Sequence, residues 1–294
     1  MARSTTWCIT GGTGQLGSVL VRRLVEQGRH VVALSGSRSD VIAGLQPHPV
    51  DVTDPSATWA ILDRVRPSIV VHLAAITNIA DAYGDPSRAH RVNVEATAEL
   101  IRQADRIGAR FVYASTDLVF DGASPPYAES ARTNPLSVYG RTKAWAEQAV
   151  RDHLQRFYIV RIAWLYGDGP RNFVRTVLRL AQERDQIRMV TDEWGSPTYA
   201  GDVAKALDLL IRSRAYGIYH LPNSGVCSRY DWAREILERT GPHTVRLEPS
   251  TDYPRAARVP KQVAMANNMG AAIGIEMRSW QAALGQYLTE GRGG

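Results

Sequence analysis

The chain has 294 residues, 44% of them apolar and 22% charged, with a net charge of +6. That length suits one large domain or two intimate lobes with a substantial core. No apolar run nears the ~20 residues of a membrane span, and the dispersed arginines form no basic stripe of the kind that binds nucleic acid.

The segment Met1–Thr6 lacks the regions of a signal peptide, so a cytoplasmic location is expected. Two cysteines build no disulfide framework, and Cys8 reads as a small buried hydrophobe. The seven histidines carry no HExxH or HxH spacing, so no metal is expected.

Trp7–Thr10 reads as a strand and Leu16–Gln27 as a helix closed by Gly28. Between them runs Thr10-Gly11-Gly12-Thr13-Gly14-Gln15-Leu16-Gly17. A glycine loop between strand and helix lets backbone approach a pyrophosphate, whose charge the free N–H groups of the helix N-terminus face. The expected ligand is a dinucleotide. The next strand, His30–Leu34, is followed by Ser35, Gly36, Ser37 and Arg38. An NAD site wants a carboxylate here for the ribose 2′-OH. None is present, and Arg38 with Ser35 and Ser37 suits a 2′-phosphate, so NADPH is expected, with NADH as the alternative.

A short strand at His48–Val50 precedes a helix at Pro55–Val65, which Asp54-Pro55 opens as N-cap and first residue. Ile69–Leu73 is a strand, Ser87–Ile107 one long helix, Arg110–Ala114 a strand, Ser137–His153 a helix and Phe157–Ile162 a strand. This alternation predicts an α/β fold with a parallel sheet covered on both faces. After residue 163 the pattern changes to helices at Phe173–Gln182, Asp202–Ile211 and Tyr230–Arg239 with short strands between. Residues 1–163 are expected to bind the dinucleotide. Residues 164–294 are expected to form mainly a substrate lobe, with some segments returning to the core. From Arg255 onward periodicity is weak.

The predicted helix at 137–153 carries Tyr139-Gly-Arg-Thr-Lys143. The chain has only three lysines, and with twelve tyrosines about 0.1 Tyr-x-x-x-Lys pairs are expected by chance. Positions i and i+4 share a helix face, so phenol and ammonium reach one site. A free phenol, with pKa ~10, is a sluggish acid at neutral pH. A neighbouring ammonium, aided by the charge of an oxidised nicotinamide, is expected to favour phenolate and to move the phenol toward working pH. The hydroxyls of Ser115-Thr116, at a strand end where α/β sheets place ligands, are candidates to polarise a carbonyl.

The glycine loop and YxxxK together resemble the extended short-chain dehydrogenase/reductases. The strings STDLVFDG (115–122), RIAWLYGDGPRNFV (161–174), DEWGSPTYAGDVA (192–204) and GIYHLPNSGVCSRYDWA (217–233) are similar to dTDP-4-dehydrorhamnose reductases and their sugar-nucleotide relatives. The resemblance spans residues 6 to about 255. It implies a Rossmann-type doubly wound parallel sheet with a smaller C-terminal substrate lobe, and NADPH-dependent reduction of a sugar-nucleotide 4-ketone. It implies Tyr139 as proton donor, Lys143 as its tuner and Thr116 as the polarising hydroxyl, with Asp117 beside it. Asp51 and Val52 would meet the adenine, and Ala74, Ala75 and Thr77 would line the nicotinamide side. Asn93 would stand near the active-site backbone, Trp164 at the sugar end, and Asn172 at the substrate cleft.

The tail departs from the family: Val259 stands where an Arg precedes the aligned Pro260, and the Asn-Ser-Arg string after it is missing. Arg255, Arg258 and Arg171 are candidates to clamp a diphosphate. Two rival readings stay open, a reductase of another carbonyl or imine and a non-catalytic dinucleotide-binding subunit. A homodimer is also left open.

Overall fold

The computed structural model describes residues 5–36, 40–168, 172–251, 253–255 and 257–290. Its centre is a seven-stranded, wholly parallel sheet. The first half supplies β1 (Thr6–Thr10), α1 (Gln15–Glu26), β2 (His30–Ser35), β3 (His48–Pro49), α2 (Pro55–Val65) and β4 (Ile69–His72). There follow α3 (Ile79–Gly84), α4 (Pro86–His90), a π-helical turn (Arg91–Glu95), α5 (Ala96–Arg106), β5 (Arg110–Thr116), α6 (Val138–His153) and β6 (Phe157–Ile162). The second half adds β7 (Leu165–Tyr166), α7 (Phe173–Glu183), β8 (Gln186–Val190), β9 (Trp194–Gly195), β10 (Thr198–Tyr199) and α8 (Ala200–Ser213). It closes with β11 (Gly217–His220), β12 (Cys227–Ser228), α9 (Arg229–Thr240), β13 (Arg246–Ser250), α10 (Asn268–Ala271) and α11 (Trp280–Glu290). No described helix is long and apolar enough to cross a membrane.

Strand order is β11-β6-β5-β4-β1-β2-β3. The chain moves outward in one direction from β1 and then in the other from β4, so the switch point falls between those two strands, where such sheets bind ligands. Parallel strands are buried on both faces, and here their side chains alternate between two cores. Trp7, Ile9 and Val71 pack under α1 and α8 with Leu20, Leu24 and Leu207. Cys8, Val70 and Phe111 pack on the other face with Leu62, Leu100 and Val150 of α2, α5 and α6. A third cluster, built round Trp232, Tyr166 and Tyr287, joins α7, α9 and α11. Two elements from beyond residue 163 serve the central sheet: β11 pairs with β6, and α8 covers α1.

Asp54 caps α2 as its sequence indicates, accepting from Ser56 and Ala57 N–H at 2.9 and 3.0 Å. The single helix expected over 87–107 is instead interrupted by the π turn, and α3 precedes it unannounced. The turn presents Asn93 to a neighbouring loop, where Oδ1 accepts from Ile76 N–H (2.8 Å) and Nδ2 donates to Ile76 O and Thr142 Oγ1 (both 3.0 Å). Apolar periodicity carries no trace of such a bond, because the partners are distant in sequence. π-bulges of this kind gather at functional sites.

Under α6 lies a buried ion pair. Arg161 (1% exposed) donates to both oxygens of Glu147 (0% exposed) at 2.9 and 2.7 Å. Ser115 Oγ also donates to Glu147 at 2.5 Å, and Arg161 reaches Glu129 O and His220 Nε2 at 3.2 Å. That contact makes His220 Nε2 the acceptor, so Nδ1–H donates to Ala266 O at 3.0 Å. Burial and the adjacent guanidinium hold the His220 ring neutral, its pKa pushed down to about 3. Removing one member of such a pair strands the other charge. Arg161→Met is expected to cost about 3–5 kcal/mol, read from the urea midpoint. Arg161→Met/Glu147→Leu should recover most of that loss, and a double variant as unstable as the single would contradict this account.

Candidate active site

At the switch point a cleft of about 600 Å³ runs from the glycine loop to Trp194 and Arg255. Its first wall is the loop after β1. Gly11 has φ +66°, and a Cβ there would meet Ala74 N at 2.8 Å, so only glycine allows the β1 and β4 loops to touch. The first-turn N–H groups of α1 have no intrahelical acceptor. No side chain caps them and no acidic residue stands in that turn. Gln15 and Leu16 carry these groups to the cleft, with Thr13 and Gly14 beside them; the Gly14 N–H is itself spent on Gly11 O at 2.9 Å. This terminus fits a dinucleotide diphosphate. Thr13 and Ser35 hydroxyls bond to each other at 2.8 Å. Ser37 and Arg38 lie outside the described residues. Asp51 and Val52 stand beyond the lining, next to its Ser35 end: Val50 N–H donates to Ser35 O at 2.8 Å, and the Asp51 carboxylate accepts from Thr53 N–H and Oγ1 (2.9 and 2.8 Å).

Ala74, Ala75 and Thr77 line the floor. Their backbone is held by residues that the sequence reading overlooked. Thr10 Oγ1 accepts from Leu73 and Ala74 N–H, both at 3.2 Å, and bonds His72 Nδ1 at 2.7 Å. Thr97 spends its hydroxyl proton on Asn93 O, so His72 Nε2–H donates to Thr97 (2.9 Å). Burial holds this imidazole neutral, its pKa lowered to about 3. The signal was present in His72 at a strand end, but only the packed structure shows both ring nitrogens spoken for.

Thr116, Tyr139 and Lys143 meet on the opposite wall. Tyr139, Lys143 and Glu147 follow at four-residue spacing along one buried face of α6. Gly140 brings that face close, since a Cβ there would lie 2.2 Å from Leu118 O. In the protein alone the phenol shifts away from working pH. Burial raises the Tyr139 pKa, a bond with Thr116 offsets part of this, and the Asp117 carboxylate adds to the rise. Lys143 does not reach the phenol as a hydrogen-bond partner. Its ammonium lies 4.0 Å over the Tyr113 ring, and burial draws its pKa down to about 7 against the pull of Glu147. In this closed environment desolvation outweighs the neighbouring charge.

Asp117 accepts from Thr116 Oγ1 at 2.9 Å, while its Oδ2 is buried without a partner. Burial raises its pKa to about 6, opposed by the Thr116 bond and by Arg229.

The far wall contains Trp164, Glu193, Trp194 and Arg229, of which only Trp164 was anticipated. Trp164 has φ +41°, an uncommon backbone for a bulky residue. It stacks toward Trp232 at 5.8 Å, and a Cβ on Gly195 would fall 2.5 Å from its ring. Asn172 does not line the cleft: it caps α7 through Arg175 N–H (2.9 Å) and donates to Gly167 O (2.7 Å) and Tyr287 Oη (3.0 Å). Arg255 lines the mouth but is tied to Glu193 (2.8 and 2.5 Å), while Arg258 faces a neighbouring depression. Arg171 lies outside the described residues. Among those described, no group of three or more His, Cys, Asp or Glu is placed to hold a metal.

A glycine-loop cleft at the switch point of a parallel sheet, walled by a Tyr-x-x-x-Lys helix, defines an extended short-chain dehydrogenase/reductase. The RmlD substrate binding domain model matches residues 5–292, and the chain belongs to that family. It is 37% identical to a dTDP-4-keto-6-deoxy-D-glucose reductase of Streptomyces niveus over 95% of both chains. It is 36% identical to the dTDP-4-dehydrorhamnose reductase of Mycobacterium tuberculosis over 97% of this chain and 93% of that one. The crystal structure of Bacillus anthracis dTDP-4-dehydrorhamnose reductase in complex with NADP superposes with a TM-score of 0.90 at 32% identity, covering 99% of each chain.

Two outcomes follow from this geometry. Ionised Asp117 costs the folded state free energy above about pH 6, and the cost fades as pH falls toward the unfolded value near 4. Asp117→Asn should therefore be more stable than wild type by up to about 3 kcal/mol at pH 8, with the gain vanishing near pH 4. Denaturation across that range checks it, and a pH-independent difference would exclude the burial account. Gly195→Ala should displace the Trp164 indole, changing tryptophan fluorescence and lowering kcat/KM at least about tenfold.

Proposed function

We propose that this protein reduces the 4-keto group of a dTDP-4-keto-6-deoxyhexose with NADPH, in deoxysugar biosynthesis. The observation that carries the reading is one continuous cleft in which Thr116, Tyr139 and Lys143 stand between the glycine loop and the Trp164 wall. The two reductases and the NADP complex named above support the substrate class and the cofactor.

Bound NADPH supplies the hydride. Tyr139 hands its phenolic proton to the carbonyl oxygen as that oxygen gains charge. Its raised pKa keeps the proton in place until then. Thr116 donates to Asp117 in the structure, and its hydroxyl proton turns to the carbonyl oxygen to orient it when substrate binds. Lys143 supplies positive charge under the developing phenolate, with Glu147 behind it favouring the ammonium. His72, Asn93 and Thr10 position backbone and touch no reacting atom. Residues after 163 form the substrate lobe, apart from α8 and β11, and the reaction is cytoplasmic.

Purified protein should oxidise NADPH, followed by its absorbance, when given dTDP-4-keto-6-deoxyglucose or its epimerised product. Tyr139→Phe should lose at least about 10²-fold in kcat while retaining NADPH affinity. Wild-type turnover in that variant would remove Tyr139 from the role. Arg38→Ala should raise KM for NADPH well above any change for NADH, and equal effects would dissociate Arg38 from the 2′-phosphate.

A further inference from the structure

Among the described residues, four cationic side chains stand at the sugar side of the cleft or around its mouth: Arg229, Arg255, Arg258 and Lys261. Arg255 is engaged bidentately by Glu193, and Lys261 is paired with Asp192. Arg258 faces the outer depression. Among the described residues, the rest of the tail brings only Val259, Pro260 and Val263 to the cleft.

Arg229 is different. It lines the cleft, and its guanidinium lies 3.5 Å over the Trp164 ring, with Phe173 and Trp232 at 5.3 and 5.7 Å. Among the described residues, no carboxylate forms a salt bridge with it and none of its side-chain N–H groups is spent on a hydrogen bond. Desolvation draws its pKa down to about 10, so it remains charged at neutral pH. Glu193 and Asp117, on the mouth side and the catalytic side, both act on it through space. A fork of free donors, half-buried and set 3.5 Å over an indole, matches a phosphate. In a hexose nucleotide the diphosphate leaves C1, across the ring from C4. With the ketone at Thr116 and Tyr139, the diphosphate lies farther along the cleft, and Arg229 lines that same cleft on the Trp164 wall, within electrostatic reach of both Asp117 and Glu193.

We propose that Arg229 receives the diphosphate of the sugar nucleotide, with Trp164 as the plate that fixes its guanidinium. This rests on the dTDP-sugar reading above and names the residue that recognises the substrate's charge.

The test compares the binding of dTDP and thymidine, by calorimetry with NADP⁺ saturating, to wild type, Arg229→Gln, Arg229→Lys and Arg255→Gln. Wild type should hold dTDP at least ~30-fold tighter than thymidine. That ratio should fall to within about threefold in Arg229→Gln, recover in part in Arg229→Lys, and change less than about threefold in Arg255→Gln. Thymidine and NADP⁺ affinities should be unchanged, and Arg229→Gln should raise KM for the keto-sugar nucleotide with kcat altered less than about threefold. An unaltered ratio in Arg229→Gln, or a collapse confined to Arg255→Gln, would overturn the proposal and leave the reductase reading intact. A wild type that neither binds dTDP nor turns over its keto-sugars would overturn both.

Discussion

The buried pairing of Arg161 with Glu147 is the constraint on which the site's geometry depends. Two charges without water are tolerated only when every lone pair and proton finds a partner. That requirement draws β5 through Ser115, β6 through Arg161 and α6 through Glu147 into one arrangement. Because Tyr139 and Lys143 share the helix face of Glu147, setting the register of one sets the other two. Gly140 then lets α6 approach the Leu118 carbonyl, closer than any side chain would allow. The position of the phenol relative to Thr116 is thus a consequence of packing two turns away.

A second set of polar ties completes the opposite wall. His72, Thr10 and Thr97 link the ends of β1 and β4 to α5, and Asn93 ties the loop at Ile76 to Thr142 on α6. These groups are neutral and mutually satisfied, so they hold the floor of the cleft without adding charge to it. The charges that do face the cleft are suppressed by burial: the phenol of Tyr139 and the carboxyl of Asp117 shift up, and the ammonium of Lys143 shifts down. In such surroundings an added charge or a proton transfer has a large electrostatic effect. The Trp164 wall contributes the contrasting element, a guanidinium kept ionised against the indole.

How far the site was legible depends on whether its partners lie close in sequence. The glycine loop, Asp54-Pro55 and Tyr139-x-x-x-Lys143 are local patterns whose physics acts within one or two turns, and each stands where its spacing indicates. Asn93 shows the limit. A long helix was the reasonable reading of 87–107, yet a bond to a loop seventeen residues earlier accompanies a π turn that no periodicity encodes. Arg255 and Arg229 show the same limit from the other side. As letters they are two arginines, and only the position of Glu193 separates a neutralised one from a free one.

By itself, the sequence determined the alternating α/β plan, the glycine-loop terminus of α1 and the helix face that carries Tyr139 and Lys143. Backbone sterics and the two periodicities of apolar residues act locally, and they leave their mark in order along the chain. Tertiary structure alone decided the direction in which the phenol's acidity shifts, the tie between Asn93 and the active-site floor, and the choice of Arg229 as the unspent cation. Desolvation and charge pairing depend on what surrounds a group in space, and those surroundings come from segments that only folding brings together.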